Sequence, residues 1–102
     1  MDLIRGARRK GIDVGTLVEV DLFNGVTFDR TSDFPCARGP NSKTKLKGIR
    51  VCGYVSYIGG EDERESYLNI YPSPNPRDTN LGGFRIYSGA AHSLHVAHKK
   101  KR

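Results

Sequence analysis

Residues 16–30 read T-L-V-E-V-D-L-F-N-G-V-T-F-D-R, and the fold class turns on them. Val18, Val20 and Leu22 alternate with Glu19 and Asp21, the period-two pattern of a strand with one buried face. Asn24-Gly25 follows, and then Val26 and Phe28 alternate with Thr27 and Asp29. Asn-Gly between alternating runs is the strongest short-range hairpin signal. The faces choose the turn. A two-residue loop pairs Phe23 with Val26 and sets Phe28 opposite Asp21, which mixes acids into the apolar face. A type I turn with Gly25 as a left-handed bulge pairs Leu22 with Val26 and Val20 with Phe28. All five apolar residues then share one face, and the sequence predicts this bulged hairpin.

The rest of the chain extends the same pattern. Gly48 to Ile58 predicts a second strong strand, with Gly53 marking a bend or bulge. Ser66 to Tyr71 predicts a third, with Leu68 and Ile70 on one face, ended by Pro72, Pro74 and Pro76. A short strand follows at Phe84 to Tyr87, and a weak one includes Leu94 and Val96. Residues 31–47 show no sustained period and carry Pro35, Gly39, Pro40, Asn41 and Ser42, so they predict a long loop. The single helical candidate, Leu3 to Lys10, is short. Five or six short strands with turns between them predict an all-β fold. The expected form is a small five- to six-stranded barrel, SH3-like or OB-like, with basic terminal tails.

With 102 residues, the chain has the length of one domain and no room for a second core. No apolar run approaches the roughly 20 residues that a membrane span needs, and no apolar stretch follows the charged start as in a secretory signal. The expected compartment is cytoplasmic, with a nuclear or virion-associated place also open to a chain ending in K-K-K-R. Cys36 and Cys52 are too few for a disulfide framework and read as reduced thiols.

The formal charge is +6, and it is unevenly spread. Residues 1–11 carry Arg5, Arg8, Arg9 and Lys10 against Asp2, and residues 98–102 carry Lys99, Lys100, Lys101 and Arg102. The remainder holds nine basic and ten acidic side chains. Like charges at this density repel, so residues 1–13 are expected to form a frayed basic arm and 98–102 a basic tail around a domain at 14–97. Within that domain, Arg38, Lys43, Lys45, Lys47 and Arg50 fall in a stretch without acids, while residues 61–65 are mostly acidic. One side can attract phosphates while the other repels them.

Strand parity suggests a second element of the site. If Leu68, Ile70, Phe84 and Ile86 face the core, then Tyr67, Tyr71, Arg85 and Tyr87 face outward. Tyr54 joins them, beside Arg50. Tyrosine rings next to guanidinium groups on a sheet form a platform on which bases stack, worth about 1–3 kcal/mol per base. The same rings also serve to cap a small barrel. The candidate nucleic-acid contacts are therefore Arg8, Arg9, Lys10, Arg38, Lys43, Lys45, Lys47, Arg50, Tyr54, Arg85, Tyr87, Lys99, Lys100, Lys101 and Arg102.

Other chemistries find less support. The loop lacks the phosphate-cradling G-x-x-x-x-G-K-[ST] spacing, and no H-E-x-x-H or G-x-S-x-G occurs. His92, His95 and His98 recur at every third residue, a spacing that presents three ligands to one ion on neither a strand nor a helix. No metal, cofactor or small-molecule substrate is expected, and no enzymatic activity. The expected partner is RNA or single-stranded DNA, bound with little sequence specificity. The alternative is a structural or adaptor subunit of a larger assembly, such as a ribonucleoprotein particle or virion, whose tails and proline loop contact proteins.

Overall fold

A computed structural model of the chain describes residues 2–29, 35–39, 46–60, 65–72 and 83–97. Among these the order is α1 (Leu3–Arg9), β1 (Leu17–Phe23), β2 (Phe28–Asp29), β3 (Cys36–Ala37), β4 (Lys47–Gly59), β5 (Tyr67–Tyr71), β6 (Phe84–Tyr87) and β7 (Ala91–Val96). A 3-10 turn at Ser88–Ala90 joins the last two. The fold is mostly β with one short helix. No helix among the described residues is long and apolar enough to cross a membrane.

The strands form one sheet in the order β2-β3-β6-β5-β4-β1-β7. All neighbours run antiparallel except β3 and β6, which are parallel. Chain connectivity forces this sheet to curl. β1 and β2 stand sixth and first in the order, which in a flat sheet is a separation of about 24 Å at about 4.8 Å per strand. The chain from Phe23 to Phe28 can span at most about 18 Å. The β2 edge must therefore swing back toward β1. Curling brings one face of every long strand together: Val18, Val20, Leu22, Leu68, Ile70, Ile86 and Leu94 have no exposed surface, and Val55 almost none. Burying each such side chain contributes about 1.5–3 kcal/mol.

The helix closes one side of this core. Asp2 is its N-cap, with Oδ1 accepting the N–H groups of Ile4 and Arg5 at 3.1 and 3.3 Å. At the other end Gly11 takes φ of 64°. The N–H of Ile12 then bonds the Ala7 carbonyl at 2.8 Å, and that of Gly11 bonds Arg8 at 3.3 Å. This is the Schellman closure, which only a left-handed residue permits. Leu3, Gly6, Ala7 and Ile12 are buried. A polar clip holds the helix start: Ser88 Oγ accepts the Leu3 N–H at 3.0 Å and donates to the Ser66 carbonyl at 3.1 Å. The Ser66 hydroxyl is bonded to that of Ser88 and reaches Asp2 Oδ1 at 3.4 Å.

The structure differs from the sequence expectations in four places. The barrel does not close: among the described residues no ladder joins β2 to β1 or β7. The β1–β2 hairpin is not formed either. Asn24-Gly25 does turn, with Gly25 at φ 87° and the Val26 N–H bonding Phe23 at 3.3 Å. However, β4 and β7 occupy both edges of β1, so β2 pairs with β3 instead. Val26 and Phe28 still pack against the core. The segment read as one long loop contains β3, which adds a strand beyond the five or six expected. Finally, residues 3–12 are no frayed arm, because the apolar surface of Leu3, Ala7 and Ile12 offsets the repulsion among the basic residues beside them.

Candidate functional site

The outward faces of β4, β5 and β6 carry a continuous row of rings and guanidinium groups. Tyr67 on β5 stands directly opposite Tyr87 on β6, and Asn69 stands opposite Arg85. The Tyr67 and Tyr87 centroids are 5.4 Å apart, inclined at 58°. Arg85 lies with Cζ 3.9 Å from the Tyr67 ring centre and 6.0 Å from that of Tyr87. Its Nε donates to Asn69 Oδ1 at 2.9 Å and its Nη1 to the Tyr87 hydroxyl at 3.4 Å. Burial opposes the Arg85 charge, but the Tyr87 hydrogen bond and neighbouring groups outweigh it, and its pKa lies above the ordinary arginine value. Beyond Tyr87, Arg38 places Cζ 4.6 Å over the same ring. Cation–π contacts of this kind contribute about 0.5–2 kcal/mol each.

At the other end of the row stands Tyr57, which strand parity alone hides. Simple alternation from Val55 turns Tyr57 inward. The β4–β5 register shifts between Val55 and Tyr57, so Tyr57 pairs with Asn69 and Ile58 with Leu68. That bulge sends Tyr57 outward and Ile58 inward. The Tyr57 ring stacks on Tyr67 at 6.0 Å and 29°, and Tyr57 is 53% exposed. Gly59 makes room for the stack. A Cβ at this position would fall 2.5 Å from Tyr57 Cε1 and 2.8 Å from the Tyr67 hydroxyl, closer than real Cβ contacts come.

Comparison with protein-family models, with curated proteins and with solved structures finds no match to this chain. The site is defined by its own geometry.

The other sequence candidates divide into three groups. Arg38, Arg85 and Tyr87 belong to the row. Tyr54 lies apart from it, half-buried and opposite Tyr71 in the register. Arg50 and Lys47 serve a different cluster. Asp21 on β1 has no exposed side-chain surface, and its carboxylate accepts Arg50 Nε at 2.7 Å, Arg50 Nη2 at 3.1 Å and Ser93 Oγ at 2.9 Å. Lys47 Nζ and His95 Nε2 lie 3.6 and 3.5 Å from it, and Arg50 also bridges to Glu19 at 2.9 Å. The Arg50 hydrogen bond holds the Asp21 pKa well below the carboxylate range against the opposing effect of burial. Asp21 in turn raises that of Arg50. This cluster neutralises its own cations.

On α1, Arg8 and Arg9 are exposed, whereas Lys10 donates to the Leu94 carbonyl on the edge strand β7, a charged guard of the kind that discourages edge-to-edge pairing. Clefts flank the helix. One of about 320 Å³ is lined by Asp2, Arg5, Gly6, Arg9 and Lys10. Another of about 390 Å³ lies between the helix and residues 58–60. Lys43, Lys45, Lys99, Lys100, Lys101 and Arg102 fall outside the described residues. Among the described residues no group of three or more His, Cys, Asp or Glu is placed to hold a metal ion. Cys36 is buried and Cys52 exposed, and neither is in a disulfide.

Proposed function

We propose that this protein binds single-stranded nucleic acid, RNA or single-stranded DNA, with little base specificity, through the Tyr57–Tyr67–Arg85–Tyr87–Arg38 row. The observation that carries the proposal is the half-exposed Tyr57 ring at the end of a fixed stack. A ring already held in place loses little freedom when a base stacks on it. Every base has a π-face, so such a platform tolerates any sequence. The arginines in the row and the net charge of +6 supply the attraction for phosphate. A curled sheet offers its outer face to an unpaired strand as small SH3-like and OB-like barrels do. Single strands are favoured over duplex because α1 has only seven residues and buries one face, and no recognition helix for a major groove occurs among the described residues. The row itself holds no nucleophile with a base beside it, and the proposed role is binding without catalysis.

The test is a titration of a labelled U-rich 12-mer RNA followed by anisotropy across a salt series. The affinity is expected to fall linearly on a log–log plot as salt rises. Tyr57→Ala should weaken binding by about 5- to 150-fold, the loss of one stacked base at about 1–3 kcal/mol. A flat salt response, or a Tyr57→Ala protein that binds unchanged, overturns the proposal.

A further inference from the structure

Resting on that proposal, we infer that the cleft between α1 and the end of β4 seats the nucleotide adjoining the one stacked on Tyr57, with Arg8 contacting its phosphate. Three observations converge on this place. The first is continuity. Gly59 lines the cleft of about 390 Å³, and it is the same residue whose missing Cβ lets the Tyr57 and Tyr67 rings approach. The ring stack and the cleft therefore share one stretch of backbone, with Tyr57 on its outer face and Ile58 on its inner one, and a strand that rounds the end of β4 passes from one to the other.

The second is charge. Most basic groups near the sheet are already engaged: Arg50 and Lys47 with Asp21, Arg85 with Asn69 and Tyr87, Arg38 with Tyr87, and Lys10 with Leu94. Arg8 and Arg9 have no ion pair or side-chain hydrogen bond among the described residues. Arg8 lines the cleft. The Asp13 carboxylate, also in the lining, accepts the Val14 N–H at 3.0 Å. The strand is therefore expected to run toward Arg8 and Arg9, the basic side chains left unengaged beside the cleft.

The third is the character of the walls. Ile4, Ala7, Ile12 and Ile58 give an apolar floor that suits a ribose or a base edge. Gly60 keeps the remaining wall bare: at φ 116° a side chain is strained, and a Cβ would fall 2.4 Å from Ser66 Cα. The volume lies at the small end of the range for ligand sites, enough for one monomer unit. A strand that stacks one base on Tyr57 and turns its neighbour into this cleft must be splayed. A duplex cannot do that, so the cleft also selects for single strands.

The experiment repeats the U-rich 12-mer titration with wild type, Arg8→Gln and Arg8→Lys, at salt concentrations from 0.1 to 1 M. Arg8 is exposed, so these variants leave the core intact. Losing one phosphate contact lowers the salt slope by about 0.7. Relative to wild type, Arg8→Gln should therefore lose about fivefold more affinity at 0.1 M than at 1 M, and Arg8→Lys should restore the slope. If wild type binds and depends on Tyr57 but Arg8→Gln keeps the wild-type slope, the cleft assignment is wrong and the tyrosine row stands. If wild type shows no salt-dependent binding, the tyrosine row falls first and the cleft with it.

Discussion

Replacing Asp21 with asparagine removes one charge and almost no volume from the centre of the β1–β4–β7 cluster. The wild-type carboxylate accepts two bonds from Arg50, at 2.7 and 3.1 Å, and one from Ser93 at 2.9 Å. An amide can replace at most one acceptor oxygen, and it turns N–H groups toward the cationic partners. Charge-assisted hydrogen bonds contribute about 1.5–3 kcal/mol when buried. The Arg50 side chain is 48% exposed, so water recovers part of the loss and the lower end applies. The expected cost of Asp21→Asn is about 1–2 kcal/mol at pH 7, or a fall in Tm of roughly 5–15 °C for a domain of this size.

The pH dependence makes the test sharper. The folded carboxyl has a lowered pKa, so its stabilisation is fully present above the unfolded value near pH 4 and is lost as pH falls toward the folded value. The gap between wild type and Asp21→Asn, measured by urea unfolding, should be fully present at pH 5. Below pH 4 it should shrink by about 1.4 kcal/mol per pH unit. Other carboxylates titrate in both proteins and cancel from the difference. No gap at pH 7, or a gap that persists undiminished at pH 3, refutes the assignment of Asp21 as the charged centre of the cluster.

Three further outcomes are expected. Ser88→Ala removes the acceptor for the buried Leu3 N–H and should cost about 1–3 kcal/mol, with amide exchange accelerating in α1 before the sheet. Leu3→Ala, at a site with no exposed surface, should cost about 2–5 kcal/mol; a loss below 1 kcal/mol by urea unfolding would show the helix is not part of the core. Gly59→Val should displace the Tyr57 and Tyr67 rings, since even a Cβ is too close to both. It should weaken 12-mer binding at least as much as Tyr57→Ala.

The strands were legible wherever one face meets the core and the other meets solvent. Val18, Val20 and Leu22 on β1, and Leu68 and Ile70 on β5, alternate in the sequence and are buried in the structure. Pairing was less legible, because Asn24-Gly25 carries local information only, whereas the partners of β1 come from residues 47–54 and 91–96. The two-residue strand β3 is too short to show a period. The helix carried its own signals in Asp2 as N-cap and Gly11 after the last turn, but charge density at Arg5, Arg8, Arg9 and Lys10 pointed to an arm. On the site, parity placed Tyr67, Arg85 and Tyr87 together. The same parity missed Tyr57, because a bulge of one residue leaves no mark in an apolar–polar pattern. It also put Arg50 beside Tyr54, where the guanidinium instead turns to Asp21, since a buried carboxylate needs a partner more than a half-exposed ring does.

The most direct measurement uses the chain's own fluorescence. It has five tyrosines and no tryptophan, so its aromatic emission comes from tyrosine alone. Adding U-rich 12-mer RNA at low salt should quench that emission saturably, in step with binding measured by anisotropy, and the quenching should largely vanish in Tyr57→Leu. Saturating binding that leaves tyrosine emission untouched would mean the strand lies elsewhere on the protein, and the row from Tyr57 to Arg38 would then be packing alone.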